Sequence, residues 1–252
     1  MADYSTQELM IVAAAREIRD GEVIFVGMRL PIAAFGVARL THAPNAVGLF
    51  ECGIARYDPS AETLYTMADP ANQLGAAWAT GLLPMMTQLP AGRVDAGFIG
   101  GAEIDRFGNI NTSYIGDFKA PKVKLPGSGG AADIAASAKR LLAIMNHEKR
   151  RLVERVGYIT SPGFLDGGDG REKAGLVRGG PAAVITDRAI LRPLGDSREL
   201  HLTSVHPGHS VEEIREHTGW ALKTAPRVDE TPPPSPAELD ALHRVDHEGH
   251  WR

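Results

Sequence analysis

The chain has 252 residues, 43% of them hydrophobic, and a formal net charge of −4. This length suits one large α/β domain or two small ones. The mild negative charge, without a stripe of basic and aromatic residues, excludes the usual kind of nucleic-acid-binding surface. The single cysteine, Cys52, excludes an internal disulfide framework and fits a reducing compartment.

The beginning of the chain also bears on its location. Met1-Ala2-Asp3-Tyr4-Ser5 lacks the basic segment and apolar core of a secretory signal. The longest apolar stretches are about as long as a strand and too short to cross a bilayer. We therefore expect a cytoplasmic protein without a membrane partner.

The first hundred residues begin with a predicted β-α-β unit. Ser5-Thr6-Gln7-Glu8 matches a capping box and opens a helix that ends at Asp20-Gly21. A buried strand follows at 22–27, then a helix from Pro31 to about residue 40, and a second strand at 46–50. This order implies parallel strands and a right-handed crossover.

The remaining elements are shorter. Helices are predicted over residues 68–83, 129–139, 211–217 and 237–245. Strands are predicted over residues 94–99, 141–145, 156–160, 182–186, 189–193 and 199–205, and the turn at Asp187-Arg188 makes 182–193 a hairpin. Thr231–Pro236 is a proline-rich spacer. The predicted organisation is one domain over residues 1–230, followed by the spacer and a C-terminal helix and tail over residues 231–252.

Glu51 is the first candidate functional residue. It follows the apolar run Ala46–Phe50, and ligands of open α/β sheets bind at the carboxyl ends of strands. A carboxylate there is either a nucleophile or a solvated loop residue. Cys52 beside it is either a second nucleophile or, as lone cysteines more often are, a small buried hydrophobe.

The second candidate is the glycine-rich stretch Gly127-Ser128-Gly129-Gly130, which precedes a predicted helix. Glycines let the backbone approach a ligand, and N–H groups at a helix start face an anion. The spacing also fits a dinucleotide fingerprint, but Lys122, Lys124 and Pro126 precede it instead of a strand. A structural tight turn and an oxyanion cradle are the other interpretations. With Glu51, the cradle suggests acyl transfer.

Histidine-rich segments give no metal site. His206 and His209, like His247 and His250, are close in sequence but match no recognised ligand set. The segment Ser161–Gly168 is dense in glycine and is either a binding loop or a surface excursion.

Six motifs in order make the chain resemble a known family. They are Val26–Pro31, Phe50–Gly53, Phe98–Asp105 with Gly108-Asn109, Gly127–Gly130, His147–Arg151 and Thr160–Gly167. Over nearly its whole length the chain resembles the β subunit of family I CoA-transferases, of the glutaconate CoA-transferase type.

The resemblance implies a fold, a partner and substrates. The fold would be α/β, with an open, mostly parallel twisted sheet and flanking helices. The partner would be an α subunit, in a hetero-oligomer of αβ pairs. The substrates would be an acyl-CoA and a carboxylic acid, with dicarboxylic and 3-oxo acids among the candidates. Coenzyme A is a substrate, and no tightly bound cofactor or metal is expected.

The resemblance also assigns residues. Glu51 matches the catalytic glutamate of a Glu-x-Gly motif and would form a glutamyl-CoA thioester, and Gly127–Gly130 match the oxyanion loop. Arg29, Gly53, Gly100 and Gly101 are candidate substrate-binding residues. Arg29 stands where a small residue is expected and could clamp a substrate carboxylate.

Two other functions fit the same residues. One is a hydrolase on this scaffold, of the ring-cleaving type that acts on steroid-degradation CoA thioesters. The other is a non-catalytic partner subunit in which Glu51 is idle. The segment 54–70 differs from the glutaconate-type pattern, which leaves the acyl group and the acceptor open.

Overall fold

The computed structural model describes residues 4–176 and 178–252. The chain divides into two units: unit one is the chain up to Phe98 together with Pro233–Arg252, and unit two is Ile99–Pro232. The domain boundary expected at residue 230 stays a prediction, and the expectations about Met1-Ala2-Asp3 lie outside the described residues.

The helices and strands are mostly short. The helices are α1 (Thr6–Ala15), α2 (Leu30–Leu40), α3 (Leu82–Met86), α4 (Ala131–Ser137), α5 (Gly170–Lys173), α6 (Val211–Glu216) and α7 (Pro236–Val245), with a 3₁₀ helix at Pro70–Gln73. The strands are β1 (Val23–Phe25), β2 (Val47–Phe50), β3 (Ile54–Arg56), β4 (Trp78–Ala79), β5 (Ala96–Ile99), β6 (Glu103–Asp105), β7 (Ile110–Asn111), β8 (Tyr114–Gly116), β9 (Pro121–Lys124), β10 (Leu141–Ile144), β11 (Leu152–Val153), β12 (Pro181–Ile185), β13 (Ala189–Leu194), β14 (Glu199–Val205) and β15 (Thr224–Glu230). In the described part of the chain, no helix has the length and apolar character needed to cross a membrane.

Unit one is built on the predicted β-α-β unit. Its strands lie in the order β5-β1-β2-β3-β4, and β1 is parallel to both β2 and β5. The strands β3 and β4 continue the sheet in antiparallel fashion. The capping box of α1 is confirmed, because Ser5 and Glu8 exchange backbone and side-chain hydrogen bonds of 2.6 and 3.1 Å.

The last helix, α7, packs on α1 and α2. Close packing is possible because Gly36 has no side chain: a Cβ there would lie 2.6 Å from a methyl group of Val245. Arg16 makes a bidentate ion pair with Glu238, at 2.7 and 2.8 Å. Burial alone would raise the pKa of Glu238, but hydrogen bonds from Arg16 and Ser235 lower it to about 2. The predicted C-terminal helix is therefore part of unit one.

Unit two contains a second set of strands in the order β15-β14-β13-β12-β10. The strands β10 and β12 are parallel, and the predicted hairpin at Asp187-Arg188 is confirmed by the antiparallel pairing of β12 with β13. Two small sheets, β11-β6-β7 and β8-β9, complete this unit. The expected open α/β architecture with flanking helices is confirmed, and the strand pairing within each unit is mixed.

Two predicted elements are wrong. Residues 68–83 do not form one helix; they contain the 3₁₀ helix, β4 and the start of α3. Their alanines favour a helix, but Pro70, Gly75 and Gly81 interrupt it. Residues 156–160 form a loop whose end is held by Ile110, whose carbonyl accepts from the N–H groups of Thr160 and Ser161 at 2.9 and 3.0 Å.

Unit two buries two histidines, His147 and His206. Burial lowers the pKa of each to about 4. The Nε2–H of His206 donates to the Thr186 carbonyl at 2.8 Å, so its Nδ1 accepts from the Thr231 hydroxyl, also at 2.8 Å. His147 lies between the hydroxyls of Thr186 and Thr218 at 3.1 and 3.0 Å. Both rings are thus structural and neutral.

Acidification should therefore destabilise the protein. Below pH 6.5 the unfolded imidazoles bind protons that the folded rings refuse, so their contribution is complete above pH 6.5 and is lost as the pH falls towards 4. The loss should approach about 3 kcal/mol per histidine at the acid end. Urea unfolding across this pH range measures it, and His206→Gln should flatten the profile. A free energy of unfolding that does not change with pH would contradict the prediction.

Candidate active site

Glu51 lies in a tight hairpin loop at the carboxyl end of β2. The loop Glu51-Cys52-Gly53 joins β2 to β3, and Phe50 pairs with Ile54 across it. The N–H of Gly53 donates to the Phe50 carbonyl at 2.9 Å. The half-buried Glu51 side chain is thus attached to a short, hydrogen-bonded turn directly after a buried parallel strand.

Gly53 is required by the geometry of this loop. Its φ is +101°, a conformation that L side chains rarely adopt. A Cβ there would overlap the Thr80 carbonyl oxygen and lie 2.8 Å from its carbon. The Thr80 N–H also donates to the Gly53 carbonyl at 2.8 Å. The glycine of the Glu-x-Gly motif therefore lets the backbone beyond β4 pass over the loop.

Cys52 is poorly suited to be the nucleophile. The residue is exposed as a whole, but its thiol is turned inward and donates to the Met67 carbonyl at 3.0 Å. Burial raises the pKa of the thiol, and the negative charge of Glu51 raises it further. Because the thiolate is the reactive form, Glu51 is the better candidate.

Arg29 lies in the loop after β1, at the same edge of the sheet as Glu51. The pairing of β1 with β2 continues to the end of the strands, where the Val26 N–H donates to the Leu49 carbonyl at 2.8 Å. Arg29 is exposed and has a φ of +68°, which explains why a small residue was expected at this position. The two loops after β1 and β2 therefore present a cation and a carboxylate together.

Arg56, which sequence reasoning missed, organises the segment that follows β3. It is only 3% exposed. Its guanidinium donates to the carbonyl groups of Asp58, Asn72, Leu74 and Pro59, at 2.9, 2.6, 2.9 and 3.3 Å. Burial lowers its pKa. An arginine within the otherwise apolar strand Ile54-Ala55-Arg56 was the signal that could have identified it.

The glycine-rich loop Gly127–Gly130 belongs to unit two and leads into α4. Gly127 and Gly129 have φ values of +97° and +48°. The Gly127 N–H is already used, since it donates to the Thr112 carbonyl at 2.8 Å. The Ser128 carbonyl accepts from Ala131 at 2.9 Å. The candidate oxyanion donors are therefore the N–H groups of Ser128 and Gly129.

Gly100 and Gly101, also in unit two, differ in their surroundings. A Cβ on Gly101 would overlap a methyl group of Ile110, whereas a Cβ on Gly100 would meet nothing closer than the Ile144 carbonyl oxygen at 3.6 Å. Gly101 is therefore a packing residue. Gly100, which is exposed, has room for a ligand near its backbone.

The loop Ser161–Gly168 is tied to the turn at Asn109. The buried Asn109 side chain accepts from the N–H groups of Gly163 and Leu165 at 2.9 and 3.0 Å. Asp105 in turn accepts from the Asn109 amide at 3.0 and 3.1 Å, and burial raises the pKa of this carboxyl. This cluster accounts structurally for two of the sequence motifs, which sequence reasoning alone left as candidate binding elements.

The structure thus separates the predicted site residues into two groups. Arg29, Glu51 and Gly53 share one edge of unit one, while Gly100, Gly101 and Gly127–Gly130 belong to unit two. Of the segment His147–Arg151, His147 is buried, and Arg150 and Arg151 pair with Glu148 at 2.5 and 3.2 Å. Among residues 4–176 and 178–252, no group of three or more His, Cys, Asp or Glu side chains could hold a metal ion.

Comparison with known proteins gives a consistent result. The family model described as Coenzyme A transferase matches residues 7–217. The chain is 43% identical to the β-type subunit of 3-oxoadipate CoA-transferase from Pseudomonas knackmussii, over 98% of this chain and 95% of that protein. It is 36% identical to the β-type subunit of glutaconate CoA-transferase from Acidaminococcus fermentans, over 95% and 93% of the two chains.

A solved structure agrees with this. The crystal structure of glutaconate coenzyme A-transferase from Acidaminococcus fermentans superposes with a TM-score of 0.92 and 31% identity, covering 99% of this chain and 97% of that chain.

The Gly53 constraint predicts a contrast between two glycines. Gly53→Ala should destabilise the protein by about 2 kcal/mol or more, because it adds both a disfavoured φ and a backbone clash. Gly100→Ala is the matched control and should change stability by no more than about 0.5 kcal/mol. Chemical unfolding of the two variants measures the difference, and equal stabilities would contradict this account of the loop.

Proposed function

Because the chain belongs to the coenzyme A transferase family, as a β-type subunit, we propose that it works with an α subunit and uses Glu51 as its nucleophile. The observation that supports this most directly is the hairpin loop at the end of β2. There Glu51 is held in a Glu-x-Gly turn whose glycine is required by the backbone.

The first half of the reaction forms a covalent enzyme thioester. The Glu51 carboxylate attacks the thioester carbonyl of the acyl-CoA and expels CoA thiolate, which leaves a mixed acyl-glutamyl anhydride. The thiolate then attacks the glutamyl carbonyl and releases the acyl group as a free carboxylate. Glu51 now holds CoA as a thioester.

The second half repeats these steps in reverse with a different acid. The acceptor carboxylate attacks the glutamyl thioester, and the released thiolate attacks the acyl carbonyl of the new anhydride. This regenerates Glu51 and yields the new acyl-CoA. No ATP is needed, because the energy of the thioester bond is conserved at each step, and water must be excluded because both intermediates hydrolyse readily.

The glycine-rich loop is proposed to stabilise the oxyanions of these steps. The proposal requires the Ser128 and Gly129 N–H groups to reach the carbonyl oxygen on which negative charge develops. The positive φ at Gly127 and Gly129 supports an unusual loop conformation of the kind that such cradles use.

We propose that the substrates have a second carboxylate. The two relatives are named for 3-oxoadipate and glutaconate, which are both dicarboxylates. Arg29 is exposed at the same sheet edge as Glu51, and a guanidinium binds a carboxylate bidentately. Arg29 would therefore hold the carboxylate that does not react.

Hydrolysis is the weaker alternative. Both relatives are named as transferase subunits, and Glu51, the group that would retain CoA covalently, is present in the required motif. A hydrolase would consume acyl-CoA without an acceptor acid, whereas the transferase requires one.

The covalent intermediate provides the main test. The chain, purified with its α partner, should gain the mass of CoA on the peptide containing Glu51 when it is incubated with a reactive acyl-CoA, and borohydride or hydroxylamine should trap the adduct. Glu51→Ala should abolish the adduct and lower transfer by about a thousandfold or more. The neighbouring Cys52→Ala is the matched control and should keep both. Full activity of the Glu51→Ala complex would instead support a non-catalytic subunit, and loss of acyl-CoA without an adduct would support a hydrolase.

The role of Arg29 is tested by comparing acceptors. Arg29→Ala should raise the KM for dicarboxylic acceptors by about tenfold or more, since a charge-assisted pair is lost. The KM for monocarboxylic acceptors should change little. Unchanged Michaelis constants for both donor and acceptor would exclude a substrate-binding role for Arg29.

A further inference from the structure

Trp251 is a buried aromatic residue far from Arg29 in sequence and adjacent to it in unit one. It is 3% exposed, and its indole Nε1–H donates to the Leu64 carbonyl at 3.0 Å. The buried carboxylate of Asp246 accepts from the backbone N–H groups of His250 and Trp251, both at 2.8 Å. The indole is therefore held in one place by its side chain and by its backbone.

The Arg29 guanidinium rests on this indole. Its Cζ lies 5.4 Å from the centroid of the Trp251 ring, within the range of a cation–π contact. Tyr65 stacks on the same indole, with ring centroids 5.2 Å apart and an interplanar angle of 28°. Among the described residues, Arg29 has no carboxylate partner, so its charge is available to a ligand.

The segment that holds the indole also contacts the turn of the candidate nucleophile. Leu64 accepts from Trp251, and three residues later Met67 accepts from the thiol of Cys52, the neighbour of Glu51. Asp69 fixes the intervening backbone by accepting from the N–H groups of Tyr65 and Thr66 at 2.7 and 2.9 Å. Trp251 is thus linked to both functional loops of this edge.

An arginine on an exposed loop ordinarily samples many rotamers, and fixing it costs conformational entropy. Stacking on a rigid indole reduces that cost before the ligand arrives. The mechanism described above does not use Trp251.

We propose that Trp251 is a positioning residue that holds the Arg29 guanidinium ready for the distal carboxylate of a dicarboxylic substrate. This inference rests on the proposed function, in which Arg29 binds that carboxylate. It adds a residue through which the 246–251 segment determines the preference for dicarboxylates over monocarboxylates.

The experiment compares two substitutions of Trp251 in the complex with the α subunit. Trp251→Leu keeps apolar bulk but removes the aromatic face, while Trp251→Phe keeps an aromatic face and removes the hydrogen bond to Leu64. Trp251→Leu should lower kcat/KM for dicarboxylic acceptors about tenfold, through KM, and leave monocarboxylic acceptors within about twofold. Trp251→Phe should retain most of the preference.

A double-mutant cycle separates positioning from general support of the fold. In an Arg29→Ala background, Trp251→Leu should cause no further loss with dicarboxylates, because the group that it positions is gone. Equal losses with both acceptor classes, or additive losses in the cycle, would overturn the inference while leaving the transferase function intact. A wild-type complex without CoA transfer would overturn the proposed function and this inference with it.

A second variant covers the case in which Trp251→Leu does not yield a folded complex. Asp246→Asn weakens the anchor of the backbone at 250–251 without changing the indole. It should give a smaller selective rise in KM for dicarboxylates, and a uniform effect on both acceptor classes would count against the proposal.

Discussion

The edge of unit one that bears Glu51 depends on one buried cation. Arg56 has no carboxylate among its hydrogen-bond acceptors in the described chain; backbone carbonyls from both ends of the segment 58–74 surround its guanidinium instead. Removing a charged group from water is expensive, and these carbonyl dipoles offset that cost only when the segment is closed around the side chain. The same closure brings Leu64, Tyr65 and Met67 to the positions from which they contact Trp251 and Cys52.

Local signals in the sequence were sufficient for much of the fold. The capping box of α1, the parallel pair β1 and β2, and the hairpin at Asp187-Arg188 were predicted, because residues close together in the chain determine each of them. The segment 68–83 was not, since its alanine content favours a helix while its tertiary contacts do not. The loop at 156–160 failed for a related reason: its apolar residues resemble a strand, but its end is held at Ile110 instead of in a sheet.

The candidate site shows the same division. Glu51 could be found from an apolar run that ends in a carboxylate, and Gly53 from its place in the motif. The contribution of Trp251 could not be found, because it depends on a contact with Arg29 between residues more than two hundred positions apart in the chain. The glycine motifs illustrate a further limit: Gly127 and Gly101 have hydrogen-bonding or packing roles that the sequence pattern alone does not separate from ligand binding.

Unit one is discontinuous, since its last part, Pro233–Arg252, follows the whole of unit two in the chain. During synthesis, at about 5–20 residues per second, the interval between Arg29 and Trp251 is on the order of ten to forty seconds. Throughout that interval the apolar faces of α1 and α2 that α7 covers are exposed, and Arg29 has no indole beneath it. The nascent chain therefore passes through a stage at which its core can bind chaperones or aggregate, and the late arrival of α7 closes the core and completes the edge beside Glu51 in one step.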